Sequence, residues 1–441
     1  MCGKVLRSEL LLSGEVMRPL TRSAQVVPAL CLALALGTGQ ALAAPIYSLT
    51  ALLPVPASPN NIEGGKFTSY DIGDFNGTTQ NYYLADRSNA SIDIYSAATN
   101  SFVGRIGGTG NLFVGVQPVP PASINNSISG PNGVIPVSLN GQSLLYAGDG
   151  NSTVKGFNLS NGNTPLPGTP IVTGTPADKR ANEGAYSPQN QRILIANSSA
   201  PTPFVSLIDP ATNAVVAKTF LDGTNGAPKA TAGLESIAWD PSTNRFFLAI
   251  PEINGGGPGA VVAIDPLTGA VVKTFDLRAF GFATCAPTGL AHGSGNQLLI
   301  GCDVGQSVVL DVAANGGNGS VTSVPQVFGS DEVRFDPVRN IYVLAARNNG
   351  TGPVLGIIDG ATDTFLQSLP TVPNGHSVAV DPVSGEVFVP FGGVAGNTVC
   401  PNGCIAVFSA SATSVPEPGS FALLAAGLAG LAGLVRRRRL S

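Results

Sequence analysis

The feature that most constrains this chain is its self-similarity. A short apolar run closing on a small or apolar residue recurs seven times, as Tyr82-Tyr83-Leu84-Ala85, Leu144-Leu145-Tyr146-Ala147, Ile193-Leu194-Ile195-Ala196, Phe246-Phe247-Leu248-Ala249, Leu298-Leu299-Ile300-Gly301, Ile341-Tyr342-Val343-Leu344 and Val387-Phe388-Val389-Pro390. Successive starts are 62, 49, 53, 52, 43 and 46 residues apart, the length of one four-stranded propeller blade. The unit around the fourth copy shows why. Ile237-Ala238-Trp239-Asp240-Pro241, the apolar run itself, Val261-Val262-Ala263-Ile264-Asp265-Pro266 and Val271-Val272-Lys273-Thr274-Phe275 read as four strands joined by tight turns. In turns such as Asp209-Pro210-Ala211-Thr212-Asn213, Asp265-Pro266-Leu267-Thr268-Gly269 and Asp381-Pro382-Val383-Ser384-Gly385, Asp accepts from backbone amides and Pro presets φ. The closing Asn or Gly takes the left-handed position. With 55 Gly, 35 Pro and only 11% charged residues, the composition fits a turn-rich β-protein.

The expected fold class is all-β, a seven-bladed β-propeller of four-stranded antiparallel blades over residues 44–413. The seventh unit supplies strands near residues 377–380, 387–391 and 404–409 and then has no fourth. Residues 47–56 resemble the last strand of unit six, residues 365–372, and donating them would close the ring and remove both sheet edges. With its units of apolar strand, Asp-Pro turn, apolar strand and Ile-Asp-Pro-x-Thr-Gly, the body looks like the seven-bladed propellers of the YVTN/NHL-like kind. That resemblance implies the fold and says little about activity.

The ends read as targeting segments. From Met17 the chain has Arg18 and Arg22, an apolar run over residues 26–37 and a small-residue exit at Ala41-Leu42-Ala43, which predicts a signal helix within residues 1–43 and cleavage before Ala44. Met17 is itself a candidate start. At the other end Pro416-Glu417-Pro418 precedes an apolar segment, residues 421–435, and then Arg436, Arg437, Arg438 and Arg439. Residues 414–441 resemble the PEP-CTERM sorting tail, with a C-terminal transmembrane helix before cleavage and the Arg cluster kept cytoplasmic. The resemblance implies an exosortase-type processing enzyme as partner and delivery to the envelope or surface of a Gram-negative bacterium. The leader carries two net positive charges and the tail three, which leaves the body at about −9 against −4 for the whole chain and argues against nucleic acid.

The four body cysteines suit an oxidising compartment. Cys285 and Cys302 fall at the adjoining ends of two antiparallel strands, and Cys400 and Cys404 flank a Pro-Asn-Gly turn, so disulfides Cys285–Cys302 and Cys400–Cys404 are expected, with a zinc site as the alternative. The first strand of each unit lines the channel. Counting back from the following turn puts Asp71, Glu235, Thr288 and His376 in one register, with Glu183 and Glu332 one residue later and Asn132 unplaced. Glu183, Glu235, Glu332 and His376 form a candidate ligand set for Ca²⁺ or Mg²⁺. The segments around Glu183 and Glu235 resemble the Glu-Gly-x-x-Trp strand of gluconolactonase/regucalcin-like propellers, which implies a metal ligand there. All of these channel positions, Glu183 and Glu235 included, read alternatively as polar residues of a solvated channel or as caps for loops, and His292 as an exposed turn residue. Two functions follow: a non-catalytic module binding polysaccharide or surface proteins, or a divalent-metal-dependent hydrolase or lyase of lactonase type.

Overall fold

A computed structural model describes residues 47–119 and 123–411. The signal segment and the sorting tail lie outside the described residues, and among those described no helix is long and apolar enough to cross a membrane. The body is a ring of seven antiparallel sheets, each a blade whose strands run outward from the channel in sequence order except in blade 7, where the N-terminal strand is outermost. Each of the seven repeated runs falls in the second strand of its blade, from Asn81–Asp86 in blade 1 to Val387–Phe391 in blade 7. Blade 2 is elaborated: two short outer strands, Thr164–Pro165 and Ile171–Val172, both pair with its third strand, Thr153–Asn158. The longest repeat interval, between blades 1 and 2, also carries a small hairpin of Pro118–Val119 with Ser123–Ile124.

The continuous apolar runs follow from burial on both faces. In Arg245–Ile250 the side chains of Phe246, Leu248 and Ile250 pack toward blade 3, whereas Phe247 and Ala249 pack toward blade 5. A strand sandwiched between two sheets has no solvent face, so the usual polar alternation disappears. Seven apolar clusters result, one at each interface between neighbouring blades, including that between blades 7 and 1. Outer strands revert to alternation, as in Ala214–Phe220 with its exposed and half-buried residues in turn.

The ring closes as the sequence suggests. Tyr47–Pro54 pairs antiparallel with Cys404–Ala410 from Tyr47 opposite Ala410 to Pro54 opposite Cys404, and blade 7 has the order Tyr47–Pro54, Cys404–Ala410, Val387–Phe391, Ala379–Val380. Tyr47 is also tied to blade 6, its backbone donating to and accepting from the Gln367 amide. Both disulfides are formed, with Cα separations of 5.1 Å for Cys285–Cys302 and 5.8 Å for Cys400–Cys404. The Asp-Pro turns have their expected chemistry: Asp265 accepts from the amides of Leu267 and Thr268, and Gly269 closes the turn at φ 73°.

Deleting Tyr47–Pro54 should expose the Cys404–Ala410 edge and uncover part of the interface between blades 6 and 7. The expected outcome is loss of monomeric elution in size-exclusion chromatography and a lower melting temperature. An unchanged melt would show that closure is carried elsewhere.

Candidate functional site

The channel is lined by the innermost strands and the segments entering them, and one opening holds a polar cavity of about 300 Å³. Its residues come from a common position in the repeat. The amides of Asp71, Asn132, Asn182, Glu235 and Asp331 each donate to the carbonyl of an equivalent second-strand residue, Ala85, Gly148, Ala196, Ala249 and Ala345. Backbone bonds between neighbouring inner strands, such as Ser236 N to Thr288 O at 3.0 Å and Glu332 N to His376 O at 3.1 Å, fix adjacent blades at this level.

Asp71, Glu183, Glu235, Thr288 and His376 all line this cavity, as the register reading anticipates for four of them. Asn132 takes the same register and stands behind the wall, its Oδ1 accepting from Arg87 Nη2 at 2.7 Å. Glu332 is the exception, because it is ion-paired to Arg334 and lines the other, wider opening of about 800 Å³. His292, expected in an exposed turn, instead ends the first strand of blade 5, with Nε2 3.0 Å from Asp240 Oδ1 across the interface with blade 4. Burial works against the His292 cation, but the Asp240 contact outweighs it and the pKa is raised.

Sequence reasoning missed the cations. Arg87, Arg180 and Arg347 share the cavity with the carboxylates. Arg87 pairs with Asp71, and Arg347 with Asp331 at 2.7 Å and Asp303 at 3.2 Å. The signal was present: Arg87 and Arg347 follow their second strands at the same position, each sixteen residues after its Asp, so the repeat carries an Asp–Arg pair in blades 1 and 6. Arg180 had no such signal. It enters on the segment before blade 3 and is seated by close approach to Gly148, where a Cβ would lie 2.3 Å from the Ala181 carbonyl.

Burial governs the ionisation of the cluster. It raises the Glu183 carboxyl well above the usual range, with Glu235 and Asp71 adding like charge. Glu235 is pushed up to about 7 by burial, with Arg180 pulling the other way, and Asp331 to about 6 against Arg347. Burial and then Arg347 lower His376 to about 3, so the ring is neutral. His376 stacks on Tyr70 with centroids 4.4 Å apart, and its Nδ1 donates to the Asn374 carbonyl at 3.1 Å, which leaves Nε2 as an acceptor. These groups do not fit a Ca²⁺ or Mg²⁺ ion. Three guanidinium groups face the same cavity, and among the described residues no group of three or more His, Cys, Asp or Glu is placed to hold a metal.

The raised carboxyl of Glu235 makes stability pH-dependent. Below the ordinary value of 4.5 it is protonated in folded and unfolded chains alike, and between 4.5 and about 7 only the unfolded chain ionises. Folding therefore loses stability across that window as pH rises. Glu235→Gln should raise the melting temperature at pH 8, by a gain on the order of 1–3 kcal/mol, and leave it unchanged at pH 4. Thermal melts at the two pH values check this, and equal shifts at both would contradict it.

Residues 414–439 match the PEP-CTERM protein-sorting motif. No curated protein matches the chain in sequence. Among solved structures it resembles Kuenenia stuttgartiensis hydrazine synthase, at 13% identity and a TM-score of 0.59, over 81% of this chain and 97% of that one. It also resembles Chaetomium thermophilum Raptor, at 12% identity and a TM-score of 0.54, over 85% of this chain and 30% of that one. Likeness at such identity speaks to the fold alone. The chain is thus a seven-bladed propeller carrying the motif that marks an exported protein for exosortase processing and membrane-anchored sorting in Gram-negative bacteria.

Proposed function

We propose that the chain is exported by a signal peptide within residues 1–43, displays the propeller of residues 44–413 at the cell envelope or surface, and serves there as a non-catalytic module binding exopolysaccharide. The sorting tail of residues 414–441 holds it in the membrane through residues 421–435 until cleavage near Pro416. One observation carries the binding reading: three guanidinium groups and several carboxyls line a single cavity, and most of them already neutralise one another. A divalent-metal hydrolase needs a surplus of anionic oxygen around one point. Here four carboxyls are interleaved with three guanidinium groups that already pair with some of them. Such a lining suits an oxygen-rich ligand held by a network of hydrogen bonds, with the blades as a rigid frame.

Two measurements test this. Intact-mass analysis of native surface material should give a species beginning near Ala44 and ending near Pro416, and a surface species that retains Arg436 to Arg439 would contradict processing. The native protein should also co-sediment with exopolysaccharide isolated from the producing cells, and the bound fraction should fall at least about tenfold in Arg180→Ala, the scale of one lost charged contact. Failure of the wild type to co-sediment would overturn the binding reading.

A further inference from the structure

The charges of the cavity are matched at every cation except one. Arg87 donates to Asp71, to Asn132 and to the Tyr70 carbonyl, and Arg347 is held between Asp331 and Asp303. Arg180 differs. Its Nε donates to Ser198 Oγ at 3.2 Å, and its Nη1 stands 3.7 Å from an Asp71 oxygen that Arg87 already occupies. Among the described residues its two terminal nitrogens have no hydrogen-bond acceptor, although the side chain is only 15% exposed. A half-empty guanidinium fork in a recess is matched to a planar carboxylate, which can take two parallel N–H donors.

A second observation points into the same space. Glu183 is 7% exposed and lines the cavity, and its one hydrogen bond is a long contact of 3.4 Å from Asn182 Nδ2 to Oε1, so Oε2 is left without a partner. Glu235 lines the cavity as well and has no side-chain hydrogen bond among the described residues. Carboxyl oxygens without a protein partner in so enclosed a recess are free to accept from a bound hydroxyl.

We propose that this cavity is a subsite for a carboxylated sugar, a uronic acid residue at a chain end, with its carboxylate on the Arg180 fork and its hydroxyls on Glu183, Glu235 and His376 Nε2. The assignment rests on the binding reading above and narrows it to a ligand class. A sugar hydroxyl both donates and accepts, and the cavity offers both: the Arg180 terminal nitrogens donate, while the carboxyl oxygens of Glu183 and Glu235 and the free His376 nitrogen accept. Among the described residues the only aliphatic ones in the lining are Ile72 and Ile124, so the terminal residue of a peptide, the other common source of a carboxylate, would find little there to cover an apolar side chain. A volume of about 300 Å³ lies at the small end of ligand cavities and admits one ring rather than a run of them.

The test is titration calorimetry of the full chain with D-galacturonate, with D-galactose, which has the same ring without the carboxylate, and with acetate. Galacturonate should bind at least about tenfold tighter than either of the others. Arg180→Ala should abolish that preference. Arg180→Lys, which keeps the charge but not the fork and guards against a folding defect, should weaken galacturonate binding about tenfold. Glu183→Gln keeps an acceptor oxygen at the same place and should stay within about threefold of wild type. Equal affinity for galacturonate and galactose, or an Arg180→Lys protein that binds as wild type does, overturns the carboxylate subsite. If no sugar binds while co-sedimentation with exopolysaccharide persists, the inference fails and the binding function stands. Loss of both removes the two together.

Discussion

The structure depends on burying each second strand on both faces. A blade alone cannot do this, because a twisted four-stranded sheet presents an apolar surface on either side. Only a neighbour on each side satisfies it, so the stable arrangement is a closed ring with an apolar cluster at every interface. Closure in turn requires the two ends of the body to meet in one blade, which the pairing of Tyr47–Pro54 with Cys404–Ala410 achieves.

The channel site is a by-product of that packing. Because the inner strands are held in register by backbone bonds to their second strands, one repeat position from several blades converges at one opening. The position is free of the packing constraint on the second strand, and it carries Asp71, Asn132, Asn182, Glu235 and Asp331. Gathering several acids into a poorly solvated recess raises their pKa values, and the arginines that enter at the blade tops offset part of that cost. Glu183 with its unpartnered carboxyl oxygen, neutral His376 and the unfilled Arg180 fork are the groups left over, and they line the cavity.

Legibility in the sequence followed the same division. Seven second strands could be read because burial on both faces writes itself as an unbroken apolar run, and the closing strand because blade 7 lacked a member and the N-terminal segment resembled it. The inner register could be read too, since Asp71, Glu235, Thr288 and His376 all reach one cavity. Glu332 was misleading because Arg334, two residues on, holds it at the wider opening, whereas Glu183 at the same offset borders both openings. His292 looked like a turn residue because Gly293, Ser294 and Gly295 follow it, and its partner Asp240 lies 52 residues away on another blade. Arg180 was illegible for a similar reason: the close approach that seats it, between the Gly148 and Ala181 backbones, leaves no periodic mark.

The central claim is that the arginine-lined opening, not the wider one bordered by Trp239, Tyr186 and Phe335, is where this propeller holds its ligand. A crystal structure of the chain soaked with D-galacturonate tests it most directly. The account predicts one sugar in the 300 Å³ cavity, its carboxylate within hydrogen-bond distance of the Arg180 terminal nitrogens. A sugar seated instead against the rings of the wide opening, or a narrow cavity occupied by a metal ion, would contradict it.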